Sequence, residues 1–258
     1  MTSAMFLSKD DLKLGFGIDL EIAAHYVDRK VPAGNLYWKD RHLYVNTMPG
    51  FIFMPVFTDL LRRCGVDKKL LLSEDFIRLA EAIMHSAAVQ EMEGRSMRSH
   101  HEECIGLTRR VAVNPFFLDA LDAYFHGRPL SSGMKLGTPF RSLNRADAYL
   151  CVLCTIPFDA AQAAIYLEAW YALITIYLIT DDLEDIRQDL RDQEDNVAIE
   201  AGLNEQGALI IERMAGSAMV TMERINPVLA NRFEHKLLHT DIRGIIRSFA
   251  QGPEHMGG

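Results

Sequence analysis

Cysteine is scarce in this sequence. Four thiols in 258 residues, Cys64, Cys104, Cys151 and Cys154, follow no zinc-ribbon spacing and no disulfide framework. Cys151-Val-Leu-Cys154 is formally C-x-x-C, but it has no second cysteine pair and no thioredoxin-like strand before it, so buried structural thiols are the plainer reading. Basic charge is also short. A formal net charge of −8 argues against a dominant nucleic-acid surface, because phosphate neutralisation needs clustered Lys and Arg. Glycine-rich phosphate loops, strand–helix alternation, fixed-period repeats and a nucleophile elbow are all absent, which removes the usual nucleotide-binding, solenoid and hydrolase readings. The N-terminus carries Lys9, Asp10 and Asp11 where a secretory signal would have an apolar core, so a cytoplasmic location is the default expectation.

What is present is enough apolar side chain for a substantial core: 49% hydrophobic against 24% charged residues. The pattern predicts a single all-α domain, with an N-terminal helix and arm over 1–50, a helical bundle over 51–250 and a flexible tail over 251–258. Apolar spacing predicts helices over 18–29 and 53–65, a long one opened by Ser73 and reaching about 101, and one starting at Asn114-Pro115. Further helices are expected over 143–155, from Asp159 to Asp192, over 205–231 and over 234–250. The segment Leu36 to Val45, with aromatic and β-branched residues flanking a polar turn, predicts a small β-hairpin or extended arm. The uncharged run Ala169–Thr180 is shorter than the roughly 20 residues that cross a bilayer. Pro157, Asp159 and Glu168 interrupt the wider greasy stretch, so a central bundle helix is expected and not a transmembrane segment.

The clearest chemical signal follows that run. In Thr180-Asp-Asp-Leu-Glu-Asp-Ile-Arg-Gln-Asp189, the residues Asp181, Asp185 and Asp189 recur at i, i+4 and i+8, which predicts three carboxylates along one helical face. Like charges so placed repel by a few tenths of a kcal/mol per pair, and a hard divalent cation such as Mg²⁺ would convert that repulsion into binding. A solvated acidic face with Arg187 and Arg191 as partners is the bland alternative. The abrupt change from buried to charged residues implies that the ladder opens onto an apolar cavity.

These residues resemble the class I isoprenoid synthases, the family of terpene synthases and trans-prenyltransferases. Asp181-Asp-Leu-Glu-Asp-Ile-Arg-Gln-Asp189 is similar to their second metal motif, N/D-D-x-x-S/T/D-x-x-x-E/D, and Asp181-Asp-Leu-Glu-Asp185 to the second D-D-x-x-D of the prenyltransferases. The continuation through Asn196 is similar too. The resemblance implies an isoprenoid synthase fold, Mg²⁺ at Asp181, Asp185 and Asp189, and a prenyl diphosphate substrate contacted by Asp182. Residues 40–80 hold no first D-D-x-x-D motif. Glu91 and Glu93 are the nearest acidic stand-ins, and the alternatives are a degenerate first half or a relative without this activity.

Other residues join this expectation more loosely. Arg141 and Arg145 lie about where the family places a diphosphate-sensing arginine, and Arg247 and Arg243 are further guanidinium candidates near the C-terminus. Trp170 and Tyr177 could line a hydrocarbon pocket, where aromatic faces attract cations, although aromatics at helical spacing are more often core. His85, Glu91 and Ser99-His-His-Glu-Glu103 offer metal donors, but without the paired Glu-x-x-His repeat of a di-iron bundle. Two function classes therefore lead, a Mg²⁺-dependent enzyme acting on a prenyl diphosphate and a non-catalytic helical binding or scaffold protein of the same fold, with a helical di-iron or haem-type oxygenase using the His85 to Glu103 region as a third. A homodimer is compatible with either of the first two.

Overall fold

The computed structural model describes residues 8–30, 32–36, 52–130 and 134–250. Among these residues the secondary structure is helical with no strand, as the all-α reading requires. The expected hairpin or arm over 36–45 lies, apart from Leu36, outside the described residues, as does the tail over 251–258.

The chain divides into two compact units, Met1–Leu136 with Ala146–Leu167, and Gly137–Arg145 with Glu168–Gly258. The first holds α1 (Lys9–Phe16), α2 (Leu20–Asp28), α3 (Phe53–Arg63), α4 (Lys68–Leu71), α5 (Glu74–Glu93), α6 (Met97–Thr108), α7 (Pro115–Phe125) and a 3-10 stretch, Asp147–Thr155. Helix α8 (Ala160–Asp192) begins in this unit and continues in the second. There it is joined by a 3-10 turn (Ser142–Asn144), α9 (Val197–Ala201), α10 (Glu205–Ile225), α11 (Pro227–Leu238) and α12 (Ile242–Ala250).

Helix ends follow side-chain chemistry. Ser73 caps α5 by accepting the Phe76 N–H, and Asn114 caps α7 ahead of Pro115 by accepting the Phe117 N–H at 3.1 Å. The long helix expected to reach 101 instead ends at Gly94, whose φ of 64° closes α5 in the left-handed region, and Ser96 then caps α6. The stretch over 143–155 was expected as an α-helix and is 3-10, its last turn closed by Ile156 N–H to the Leu153 carbonyl at 3.0 Å just before Pro157. The two helices expected after 205 are three. Pro227 has no N–H to continue α10 and becomes the first residue of α11, capped by Asn226.

In the first unit the core gathers Phe53, Phe57 and Tyr149, with ring centroids 5.2 and 5.9 Å from the tyrosine, edge to face. Tyr26 and Thr58 share a buried hydroxyl hydrogen bond of 2.8 Å. In the second, Trp170, Leu173, Ile174, Ile211, Met222, Leu229 and Ile246 are buried, and Tyr177 meets Phe233 edge to face at 5.1 Å. Helix α8 has the length and composition to cross a membrane, yet 72% of its apolar window is buried in protein, as in a packed core helix.

Candidate functional site

The acidic end of α8 splits into two sets, and helical geometry explains why. At about 100° per residue, i+4 spacing advances about 40°, so Asp185 lies about 40° and Asp189 about 80° round from Asp181. Asp182 sits at about 100°, close to the azimuth of Asp189 and far from that of Asp181. Asp182 and Asp189 accordingly are buried, with Leu183 and Ile186, while Asp181 and Asp185 are exposed.

The buried set is hydrogen-bonded. Arg145 Nη2 donates to Asp182 Oδ1 at 2.7 Å and Nη1 to Oδ2 at 3.3 Å, and the Val197 N–H donates to Oδ2 at 2.6 Å. Only 9% of the Arg145 side chain and 2% of that of Asp182 is exposed. Burial raises the Asp182 pKa above the ordinary aspartate value; Arg145 and the Val197 N–H oppose it and nearby Asp181 adds to it. Asn196 closes the arrangement. Its Nδ2 donates to the Asp182 carbonyl at 2.6 Å and to Asp189 Oδ2 at 2.7 Å, while its Oδ1 accepts the Ala198 N–H at 2.8 Å and so caps α9.

A second carboxylate ties down the same segment. Glu200 accepts the Arg141 N–H at 2.8 Å, the Ser142 N–H at 2.9 Å and the Ser142 hydroxyl at 2.7 Å. Burial alone would raise the Glu200 pKa, but these hydrogen bonds, Ser142 N–H first, outweigh it and hold the group below the usual glutamate value. The Arg141 side chain is 82% exposed and meets Asp195 at 3.1 Å. Residues 141–145, the acidic end of α8 and residues 195–200 thus form one polar clasp. Asn196 is legible as a cap before Val197-Ala-Ile, but its role in gripping α8, and the part of Glu200, left no sequence signal.

The exposed set is unpartnered. Asp181 and Asp185, one turn apart, make no hydrogen bond or ion pair with any described residue. Although its surface is open to water, Asp181 has enough protein about its carboxyl to raise its pKa by desolvation; Arg145 opposes this, and Asp185 adds to it. The donor set suits Mg²⁺ in part, since that ion takes one or two protein carboxylates and fills its octahedron with water and phosphate oxygens. A three-ligand cage is another matter: among the described residues no three His, Cys, Asp or Glu side chains gather to hold a metal.

The remaining expected residues lie on several helices. Trp170 is wholly buried in the core and Tyr177 is half-buried, its ring edge to face with Phe233. Arg247 forms an exposed ion pair with Glu205 and Arg243 a half-buried one with Glu212, tying α12 to α10. Glu93 pairs with Arg95 at 2.9 Å and Glu91 is half-buried, both at the end of α5 in the first unit. In the His-rich segment, His100 is buried against the Ser86 hydroxyl at 2.9 Å and His101 stacks on Phe125 with centroids 4.2 Å apart. Two cavities among the described residues are lined wholly by residues of the first unit.

No family model, no curated protein and no solved structure matches the chain.

Proposed function

We propose that the chain is a helical protein of the class I isoprenoid synthase type that binds a prenyl diphosphate through Mg²⁺, with Asp181 and Asp185 as the protein ligands. The observation that carries this reading is two neighbouring carboxylates left without partners, one with its pKa raised, beside two others that are buried and hydrogen-bonded. Two anions so placed gain from a shared cation. When bound, Mg²⁺ would supply the positive charge that neutralises a leaving diphosphate.

The chain's own residues then have distinct parts. Asp182, Asp189 and Asn196 hold the acidic turn of α8 in place, and Arg145 positions it by compensating Asp182. Arg141 is the guanidinium able to turn toward a phosphate. Its exposed pair with Asp195 is worth no more than about 1 kcal/mol, so exchanging it for a phosphate oxygen costs little.

A non-catalytic helical binding protein is the second reading, favoured by the lack of a three-ligand group among the described residues. Melting temperature separates the two. With Mg²⁺ and inorganic diphosphate at about 100 times Kd, the first reading predicts about 2.7 kcal/mol of added stability. Asp181→Ala with Asp185→Ala should abolish the shift, and both positions are exposed, so the variant keeps its fold. No shift in the wild type favours the second reading; a shift that survives the double substitution refutes the ligand assignment.

A further inference from the structure

Loop 32–36 is fastened against one face of α5, and together they line an open cleft of about 600 Å³ in the first unit. Arg78, Glu81, Ala82 and His85 stand at i, i+3, i+4 and i+7, which places them on a single face of the helix. Gly34, at a φ of 74°, turns the loop back in a conformation that other residues rarely adopt. The Asn35 side-chain amide donates to the Glu81 carbonyl at 3.4 Å, and the Leu36 N–H donates to His85 Nδ1 at 3.0 Å. The walls are therefore set before any ligand arrives.

The polar groups facing this cleft are unequally satisfied. Glu81, with 4% of its side chain exposed, is held by Arg29 at 2.6 Å, and Arg29 also forks onto Glu74. The one acidic lining residue is thus engaged. The donors are not. Lys30 makes no ion pair with a described residue, Arg78 gives only its Nε to Glu74, and His85 accepts at Nδ1, which leaves its Nε2 as the protonated nitrogen of the neutral ring. Three cations (Arg29, Lys30, Arg78) and two carboxylates (Glu74, Glu81) leave one positive charge in excess. Pro32, Ala33, Ala82 and the aliphatic stems of Lys30 and Arg78 supply the apolar surface.

The geometry points to a binding site for a small anionic amphiphile, a phosphate or carboxylate head on a hydrocarbon body, with the head on Lys30, Arg78 and His85 and the body on Pro32, Ala33 and Ala82. A phosphate head is preferred over a carboxylate, because a second negative charge meets both cations. The site lies in a different unit from Asp181 and Asp185 and uses no metal.

Calorimetric titration of the full chain in EDTA with hexyl phosphate, hexanoate and hexanol tests this, since EDTA silences any Mg²⁺-dependent binding at α8. The expected result is saturable binding of one hexyl phosphate, weaker binding of hexanoate and none of hexanol. Lys30→Gln with Arg78→Gln should weaken hexyl phosphate by about tenfold, in keeping with loss of charge-assisted contacts. Both side chains are exposed, so an unchanged melting temperature is expected for that variant. The proposal is overturned if hexanol binds as tightly as the phosphate, if the double variant keeps wild-type affinity, or if nothing saturates at about 10 mM, where even millimolar affinity would register.

Discussion

Arg145→Met is the most informative single change to the clasp. The substitution removes the guanidinium that lies 2.7 Å from Asp182 and leaves a methionine of similar length in its place. The pair's gross attraction at that distance is about 6 kcal/mol at an effective dielectric of 20, most of it offset by the desolvation of both ions. Truncating one partner is a different matter, because Asp182 stays buried with its charge uncompensated, at a cost of about 3–5 kcal/mol. The Val197 N–H still donates to Asp182 Oδ2 at 2.6 Å, which puts the expected loss near the lower end, about 3 kcal/mol. Urea unfolding followed by tryptophan fluorescence measures it. The sign of the pH dependence is fixed by the raised pKa of Asp182. A carboxyl whose pKa is higher folded than unfolded binds more protons in the native state, so its burial penalty shrinks as pH falls toward the unfolded value. The loss in Arg145→Met should therefore be largest at neutral pH and shrink toward pH 4, about the unfolded aspartate pKa. Adding Asp182→Leu should recover much of it, since an apolar pair needs no compensation. A loss below about 1 kcal/mol that is flat with pH would refute the idea that this buried pair holds the segment.

Two further changes probe neighbouring features. Gln193, at a φ of 58°, is the only described non-glycine residue in the left-handed region, and Gln193→Gly should stabilise the chain by about 0.5–1 kcal/mol in the same unfolding assay; destabilisation would mean that its side chain matters more than its backbone. Burial pushes the pKa of both His100 and His101 down to about 4, with the charges of His100 and His126 adding to the effect at His101. A depressed histidine pKa means that the unfolded state takes up protons first, so stability is full above about pH 6.5 and is lost as pH falls toward 4. His101→Phe keeps the stack on Phe125 and should cut that acid-dependent loss by roughly half; an unchanged pH profile would contradict the assignment.

The helices were legible where punctuation and periodicity agreed. Ser73 before Glu74-Asp75 and Asn114 before Pro115 are unambiguous starts, and the apolar run to Thr180 announces a core helix. The break at Gly94-Arg-Ser96 was equally written in the residues, as a stop glycine followed by a capping serine, but apolar periodicity carried the reading past it. Pro227 ends α10 for the same kind of reason. The site was legible only in part. Spacing of i, i+4, i+8 looks like one face on paper, yet its cumulative drift of about 80° carries Asp189 to the buried side with Asp182. Glu200 closes the clasp across 58 residues, a distance over which no local pattern links it to Ser142.

The central claim is that Asp181 and Asp185 form a cation-dependent diphosphate site. Calorimetric titration of farnesyl diphosphate into the Lys30→Gln with Arg78→Gln chain, whose metal-free phosphate contacts at α5 are removed, with Mg²⁺ and then with EDTA, tests it most directly. Binding that requires Mg²⁺ and disappears when Asp181→Ala with Asp185→Ala is added is the predicted result. Binding of equal strength in EDTA, or no binding under either condition, would contradict it.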